Sequence, residues 1–416
     1  MSESSPDVLI VGGGIGGLVL ALSLDQAGVS CRVFESATEI LPLGVGINLL
    51  PHAMRELAEL GLADKLASHA IETRELRYYS RYGQFIHKEP RGRFAGYDWS
   101  QLSIHRADLH NVLLDAVRAR LGAAAVQLGH RCVRIDQDSS GVLLHCDNGT
   151  AHRGRLAVGA DGIHSAVRGQ LYPNEGPPKY SGVNMWRGAT PWPAFLGGDI
   201  MISSGWLTVG KTVIYPIRPA SEATGGKPLI NWVAELERPE AVQQDWTGRG
   251  RLSDIMPAFA GLSYDWLDIT GMIESTEEIL EYPMVDRDPL ERWSFGRLTL
   301  LGDAAHPMYP RGSNGASQAI IDARYLTGQI KRLGAVSEAL VQYEAVRNPA
   351  SAKVVLTNRT NPPDAILREV WHRSGGQPFE RIEDVISPAE LQAILDRYSK
   401  VAGFDRETLR TRPSFV

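Results

Sequence analysis

Val8-Leu9-Ile10-Val11-Gly12-Gly13-Gly14-Ile15-Gly16-Gly17 is an apolar strand that runs straight into a glycine turn and opens a helix. Gly12, Gly14 and Gly17 satisfy G-x-G-x-x-G: the first permits the tight turn, the second lets backbone approach a pyrophosphate, and the third lets helix and strand pack closely. Free N–H groups at the helix start and the positive end of its dipole then bind an anion without a basic side chain. Ser30-Cys31-Arg32-Val33-Phe34-Glu35 follows as a second strand ending in an acid, 18 residues beyond Gly17. Glu35 stands where a carboxylate accepts both hydroxyls of a ribose. The plainer alternative is a glycine-rich turn beside an exposed glutamate. Strand, turn, helix, strand and acid in register favour a dinucleotide-binding βαβ unit.

The chain has 416 residues, enough for two or three domains and a large core. A net charge of −5 without long basic runs argues against nucleic acid as the main partner. Cys31, Cys132 and Cys146 are an odd number without C-x-x-C spacing, so neither a disulfide framework nor a metal site is indicated. They read as reduced core thiols, although Cys132 and Cys146 can face each other across a hairpin. Met-Ser-Glu-Ser-Ser-Pro carries an acid where an export signal carries positive charge. The uncharged run 8–24 approaches the length of a membrane span, but it holds the glycine fingerprint and is bracketed by Asp7 and Asp25. The expectation is a cytoplasmic protein without a membrane segment. Nothing in the composition reads out the oligomeric state.

Taken in order, residues 15–27 predict a helix stopping at Gly28. Residues 41–48 predict a loop, either a connector or a cofactor-facing segment, and 52–69 a helix. From 74 to 104 the pattern changes to short alternating runs, strands of a different sheet. Residues 107–121 predict a helix with Leu109, Val112, Leu113, Ala116, Val117 and Leu121 on one face. Arg106 at its start opposes the dipole, which either an anionic ligand or a salt bridge would explain. A strand at 125–128, a hairpin of 132–135 with 142–146, and a buried strand at 156–160 lead to Asp161-Gly162-Ile163-His164-Ser165-Ala166-Val167-Arg168. Strands return from 182 to 235, then a helix at 251–262 and a strand at 273–284. The buried-strand pattern recurs at 296–301 and ends in Gly302-Asp303-Ala304-Ala305-His306. A proline and glycine loop at 307–315 and helices at 316–333 and 336–356 follow. The last fifty residues are polar with helical stretches and show no recognisable chemistry.

Three glycine-and-acid elements in this order, with Arg106 between the first and second, resemble the class A flavoprotein aromatic hydroxylases over nearly the whole chain to about residue 356. Finer runs, 42–48, Ser103-Ile104-His105-Arg106, Met185-Trp186-Arg187-Gly188, 282–289 and Met308-Tyr309-Pro310, resemble the branch that includes a phenazine-modifying monooxygenase of secondary metabolism. The resemblance implies an α/β fold: a Rossmann-like FAD-binding domain from 1–73, 105–175 and 285–356, an inserted β-sheet substrate domain from 74–104 and 176–284, and a C-terminal helical tail at 357–416. It implies that Gly12, Gly14, Gly16 and Gly17 carry the FAD pyrophosphate, Glu35 and Ser36 the adenosine ribose, and Arg106 the pyrophosphate or ribityl region. Val45 and Gly46 belong to the cofactor-facing loop. Val133 touches the adenine, Asp161 braces the cofactor loop, Gly302 and Asp303 hold the ribityl chain, and Pro310, Gly312, Asn314, Gly315 and Ala316 line the isoalloxazine. The family's P-x-G-G-Q-G-x-N loop is here Pro310-Arg311-Gly312-Ser313-Asn314-Gly315-Ala316-Ser317, so Asn314 and Ser317 replace the usual glutamine and asparagine.

The activity implied is an oxidoreductase's: NADH or NADPH reduces FAD, O₂ adds to give a flavin C4a-hydroperoxide, and one oxygen is delivered to a planar aromatic or N-heteroaromatic small molecule. The cofactor carries that chemistry while the protein binds, orients and excludes water, so no catalytic side chain is assigned. Met185, Trp186 and Tyr215 are candidates either for stacking on a flat substrate or for core packing. Arg311 is read either as a cation beside the substrate cavity or as an exposed loop arginine. His164 and His306 read as structural hydrogen-bonding groups beside loops, since no nucleophile pattern accompanies them. The rival readings are a flavin oxidase or dehydrogenase and a non-catalytic flavin-binding protein. FAD without aromatic-stimulated NAD(P)H oxidation would favour the last.

Overall fold

β1 (Val8–Val11) is buried along its whole length, and a strand apolar on both faces belongs in the middle of a parallel sheet covered by helices. The computed structural model, which describes residues 6–41, 44–239, 248–403 and 405–416, has it there. α1 (Ile15–Gln26) leaves the glycine turn and ends where Gly28 adopts φ +72°, returning the chain to β2 (Cys31–Phe34) in parallel with β1. Next come β3 (Gly46–Leu49), α2 (Pro51–Glu59), α3 (Ala63–Ala67), β4 (Ala70–Glu72), β5 (Glu75–Tyr79), β6 (Phe85–Pro90), β7 (Leu102–His105) and α4 (Arg106–Leu121). β8 (Val126–Gln127), β9 (Cys132–Gln137), β10 (Val142–Cys146), β11 (Ala151–Gly154), β12 (Leu156–Gly159) and α5 (Ala166–Leu171) return to the first sheet's neighbourhood. The long strands β13 (Lys179–Pro191), β14 (Ile200–Trp206), β15 (Gly210–Arg218) and β16 (Leu229–Glu237) precede α6 (Leu252–Phe259), β17 (Ser263–Tyr264), β18 (Leu267–Asp268), α7 (Ile269–Glu274), β19 (Leu280–Asp286) and β20 (Leu298–Leu300). Helices α8 (Gly315–Leu333), α9 (Ser337–Thr360), α10 (Ala365–Arg373), α11 (Pro388–Val401) and α12 (Arg406–Thr411) close the chain.

Among the described residues, one sheet is parallel throughout, in the order β20-β12-β1-β2-β8, and α1 packs against both α4 and α8. The other large sheet runs β19-β13-β16-β15-β14-β5-β6 and is antiparallel except where β14 meets β5. The three glycine-and-acid turns all follow the carboxyl ends of β1, β12 and β20, adjacent strands of the parallel sheet, which is where open α/β sheets bind ligands. No helix among the described residues is long and apolar enough to cross a membrane.

Several local expectations are corrected. The loop expected to Asn48 gives way to strand at Gly46. There the Gly46 N–H donates to Asn231 Oδ1 at 2.7 Å, and a Cβ would fall 2.7 Å from Asn231 Cγ, so β3 is pressed onto the second sheet. The helix expected over 52–69 breaks at Gly61 (φ +71°) into α2 and α3. The last of the alternating runs, β7, pairs with β3 and β4 in a small antiparallel sheet of its own rather than joining β5 and β6. The first part of the strand expected over 273–284 is the end of α7, whose N-terminus Asp268 caps by accepting the Gly271 N–H at 2.9 Å. Met1–Ser5 and Pro42-Leu43 lie outside the described residues. Cys132 and Cys146 oppose each other in the β9–β10 ladder as free, buried thiols, and burial pushes that of Cys132 up to about 12. The C-terminal tail is not a bystander: Leu391 and Leu395 of α11 and Ile366, Leu367 and Val370 of α10 share one apolar cluster with Leu76, Met201 and Ile217 of the seven-stranded sheet.

Candidate active site

At the end of β1 the three fingerprint glycines have separable causes. A Cβ on Gly12 (φ +108°) would lie 2.4 Å from the Ala160 carbonyl oxygen, where the end of β12 presses on the turn, and one on Gly17 would lie 2.0 Å from that of Gly12, within the turn itself. A Cβ on Gly14 would meet nothing within 4 Å; this glycine faces open space at the helix start, where no side chain caps α1. Gly16 packs instead, its Cβ position 2.8 Å from Leu301 Cδ2. Glu35 Oε2 accepts the Gly13 N–H at 2.7 Å and Oε1 accepts the Ala37 N–H at 2.8 Å, with the Ser36 hydroxyl 3.1 Å away. The acid is thus fixed beside the turn. Val133 on β9 is 56% exposed, an apolar side chain left uncovered. An uncapped helix start, a glycine facing space and a fixed acid fit the pyrophosphate and ribose of a dinucleotide.

The second and third acidic turns are tied together by side chains. Asp161 accepts from the Ser165 hydroxyl at 2.5 Å and the Ala166 N–H at 2.8 Å, shaping the turn before α5. From that helix the buried Arg168 donates to the carbonyls of Ala304 and Ala305 at 3.0 and 2.9 Å, which anchors the Gly302-Asp303 turn. His306 Nε2 meets Asp322 Oδ2 at 2.5 Å behind it, a structural role; His164 is exposed. Asp303 is exposed to the central cavity, and the protein packed around the cavity raises its carboxyl above the ordinary value against the opposing charge of Arg106. Arg106 lines the same cavity, its backbone N–H donating to the Val45 carbonyl at 2.9 Å, while its guanidinium makes no ion pair or hydrogen bond among the described residues and acts on Asp303 only as a nearby charge. No carboxylate is within ion-pair distance of that guanidinium among the described residues, and it faces the space of the cavity.

That cavity encloses about 490 Å³ between the 307–316 loop and one face of the seven-stranded sheet. Alternation along three strands sorts the wall. Met185 and Arg187 of β13, Val213 and Tyr215 of β15, and Val233 and Glu235 of β16 face in. Their neighbours Trp186, Ile214, Trp232 and Ala234 face out, into a core with Ile255 and Phe259 of α6. The expectation that Trp186 stacks on a substrate is corrected on this ground: it is fully buried on the far face, under the Arg238 guanidinium at 4.8 Å. Arg187, one residue on, was not singled out by the sequence. Its Nη2 donates to the Gly46 carbonyl at 2.8 Å while its buried Nε has no hydrogen-bond partner among the described residues. Burial pushes the Tyr215 phenol above its usual value, against the opposing effect of Arg187 and Asn48 beside it.

Pro310, Asn314, Gly315 and Ala316 line the opposite side, and Val45 and Gly46 the adjoining edge. Two successive left-handed residues, Gly312 (φ +74°) and Ser313 (φ +57°), bend this loop. The second is not a glycine, so the conformation costs about 1–3 kcal/mol and must be held by its surroundings. Asn48 Nδ2 reaches Ser313 Oγ at 3.3 Å. Arg311 does not face the large cavity. Asp364 draws it, with Nε 3.9 Å from Oδ2, into a smaller chamber of about 90 Å³ behind the loop, which also correctly displaces the exposed-loop reading: its side chain is only 11% exposed. Gly312 lines that chamber too. Lys211 there donates to Glu235 and Asp364. Burial opposes the charge on Asp364, but Lys211 and Arg311 hold its carboxyl below the usual range. Sequence reasoning missed Lys211, Glu235, Asp364 and Tyr398, because none lies in a motif and the last two sit in the featureless tail.

A family model described as the FAD binding domain matches residues 5–358. A phenazine 1,6-dicarboxylic acid hydroxylase from Lysobacter antibioticus is 44% identical over 408 residues, 95% of this chain and 98% of its own. A 3-amino-4-hydroxybenzoate 2-monooxygenase from Streptomyces cremeus is 35% identical over 420 residues, 98% of each chain. Among solved structures, Klebsiella pneumoniae HpxO complexed with FAD and uric acid superposes with a TM-score of 0.75 at 24% identity, covering 98% of this chain and 97% of that one, a likeness of fold.

Proposed function

This chain belongs to the FAD-binding family of aromatic-ring monooxygenases, and from that premise we propose that its substrate is a flat, polycyclic or nitrogen-containing ring bound between β13, β15, β16 and the 307–316 loop. The enzyme is an oxidoreductase that hydroxylates an aromatic compound with FAD, NAD(P)H and O₂. The observation that carries the finer reading is the alternation of the sheet, which turns Met185, Val213, Tyr215 and Val233 onto one face as a flat wall opposite the loop. The phenazine named for the Lysobacter relative supports a tricyclic N-heteroaromatic as the first compound to try.

The chemistry that bound FAD supplies is acceptance of electrons from NADH or NADPH and use of O₂ to hydroxylate the ring. In this reading Gly14 and the first turn of α1 receive the pyrophosphate, Glu35 the ribose, and Arg106 balances the phosphate charge. Asp303 accepts hydrogen bonds from the ribityl chain, and backbone N–H groups of 312–316 meet the isoalloxazine edge. Arg187 orients an anionic substituent of the substrate. The apolar wall excludes water from the reacting ring, which protects the oxygen transfer from loss as peroxide. Residues 1–73, 105–175 and 285–356 form the cofactor part and 74–104 with 176–284 the substrate part, with 357–416 closing over both. The net negative charge supports a cytoplasmic enzyme of small molecules with no nucleic-acid partner. The test is a panel of phenolic, benzoic and phenazine compounds: substrate accelerates NAD(P)H oxidation and the product carries ¹⁸O from ¹⁸O₂. A panel in which only single benzene rings are hydroxylated removes the polycyclic reading.

A further inference from the structure

The 310–316 loop is strained at Ser313 and departs from its family's pattern at Asn314, and both features lead to one side chain from the C-terminal tail. Tyr398 of α11 is 3% exposed and lies beneath the loop. Its hydroxyl accepts a hydrogen bond from Asn314 Nδ2 at 3.0 Å. It also lies 2.8 Å from Asn358 Oδ1 of α9 and 3.3 Å from the Arg311 carbonyl, the acceptors for its own proton. A Cβ on Gly312 would fall 2.2 Å from the same hydroxyl, so the phenol fills the floor under the left-handed turn. Gln318 Nε2 at the start of α8 donates to the Ala402 carbonyl at 3.1 Å, a second tie between the loop's outgoing helix and the end of α11. Asn358 in turn donates to the Tyr309 carbonyl at 3.1 Å, so the loop's entry is held by the same network. Tyr398 lies beyond the residues that the family model matches.

We infer that Tyr398 is a positioning residue for the flavin-facing loop, acting through Asn314 to hold the backbone of residues 311–315 where the isoalloxazine edge meets it. The inference rests on the reading that this loop faces the flavin. Asn314 occupies the position of the family's glutamine with a shorter side chain, and its Nδ2 reaches down to the Tyr398 hydroxyl at 3.0 Å as well as across the turn to the Gly312 carbonyl at 3.3 Å, so the phenol and the left-handed turn share one donor. An unsupported loop would relax from the left-handed pair, because only Gly312 tolerates that conformation without cost. The tyrosine supplies polar contacts to the loop itself, which a phenylalanine of the same shape cannot.

The experiment compares wild type with Tyr398→Phe, Asn314→Ala and the double variant, each reconstituted with FAD. FAD dissociation constant, flavin reduction potential and melting temperature are measured without substrate, and the fraction of NAD(P)H recovered as peroxide with it. Tyr398→Phe weakens FAD binding by about three- to tenfold, the size of one neutral hydrogen bond, shifts the potential and raises the peroxide fraction. Asn314→Ala does the same, and the double variant does no more than either single one. Unchanged FAD affinity and potential in Tyr398→Phe, whatever its melting temperature, overturn the inference, as do additive effects in the double variant. If Tyr398→Phe does not fold, Asn314→Ala alone decides by the same two FAD readings. A wild-type enzyme that binds FAD yet hydroxylates no ring defeats the proposed function instead, and the FAD readings distinguish the two failures.

Discussion

Lys211 Nζ lies 2.6 Å from Asp364 Oδ2 and 2.9 Å from Glu235 Oε2, so one ammonium joins the inner face of the substrate-facing sheet to the segment that begins α10. All three residues are buried. Burial alone would favour neutral lysine, but the two carboxylates reverse this and raise its pKa. Removing one partner of such a cluster leaves an uncompensated buried charge, whereas replacing the whole cluster by neutral groups does not.

Lys211→Met therefore lowers the stability of the holoenzyme by about 3–5 kcal/mol. Combining it with Glu235→Gln, which leaves Arg311 paired with Asp364, recovers most of the loss. Equilibrium denaturation of the single and double variants checks this, and a double variant no more stable than the single one contradicts it.

Glu35→Ala removes the carboxylate that fixes the Gly13 and Ala37 N–H groups and that, in the proposed function, receives the ribose. FAD affinity should fall by about 1.5–3 kcal/mol for each charged hydrogen bond lost. Titration of apoenzyme with FAD measures it, and an unchanged dissociation constant takes Glu35 out of the site.

Arg187→Met should discriminate among substrates by charge. A bound carboxylate loses a charged hydrogen bond, so KM for carboxylated rings rises about ten- to a hundredfold, while carboxamide analogues lose far less. Equal losses for both would assign Arg187 to holding the Gly46 carbonyl alone.

His52 gives the fold a predictable weakness in acid. Burial first, and then the nearby Arg412 charge, push this fully buried imidazole down to about 3 from the ordinary 6.5. Between those values the unfolded chain binds a proton that the native state refuses, so stability falls as pH drops through this window. The slope from this residue approaches about 1.4 kcal/mol per pH unit. His52→Gln removes that contribution, and denaturation midpoints of both proteins at pH 7 and pH 5 reveal the difference. Parallel pH dependences refute it.

The legible features were those whose causes are local. Gly12 takes the positive φ of the turn, Gly17 meets the Gly12 carbonyl, and Glu35 follows one helix and one strand later, so a linear pattern carries them. Asp161 and Gly302-Asp303 repeat the same strand-to-turn signal. Arg106 was visible because a cation at a helix start is locally unfavourable.

What the sequence determined by itself was the parallel sheet, its glycine-and-acid turns and the presence of a second sheet, since hydrophobic periodicity and turn chemistry act over a few residues. Only the tertiary structure decided which face of that second sheet meets the cavity. Met185, Trp186 and Arg187 are consecutive, and a register shift of one would exchange Trp186 for its neighbours in the wall. It also decided that Arg311 turns away toward Asp364, and that Tyr398 reaches the loop from the tail. These are meetings between residues 53 and 84 positions apart, and the burial and charge that select them exist only once the elements have packed.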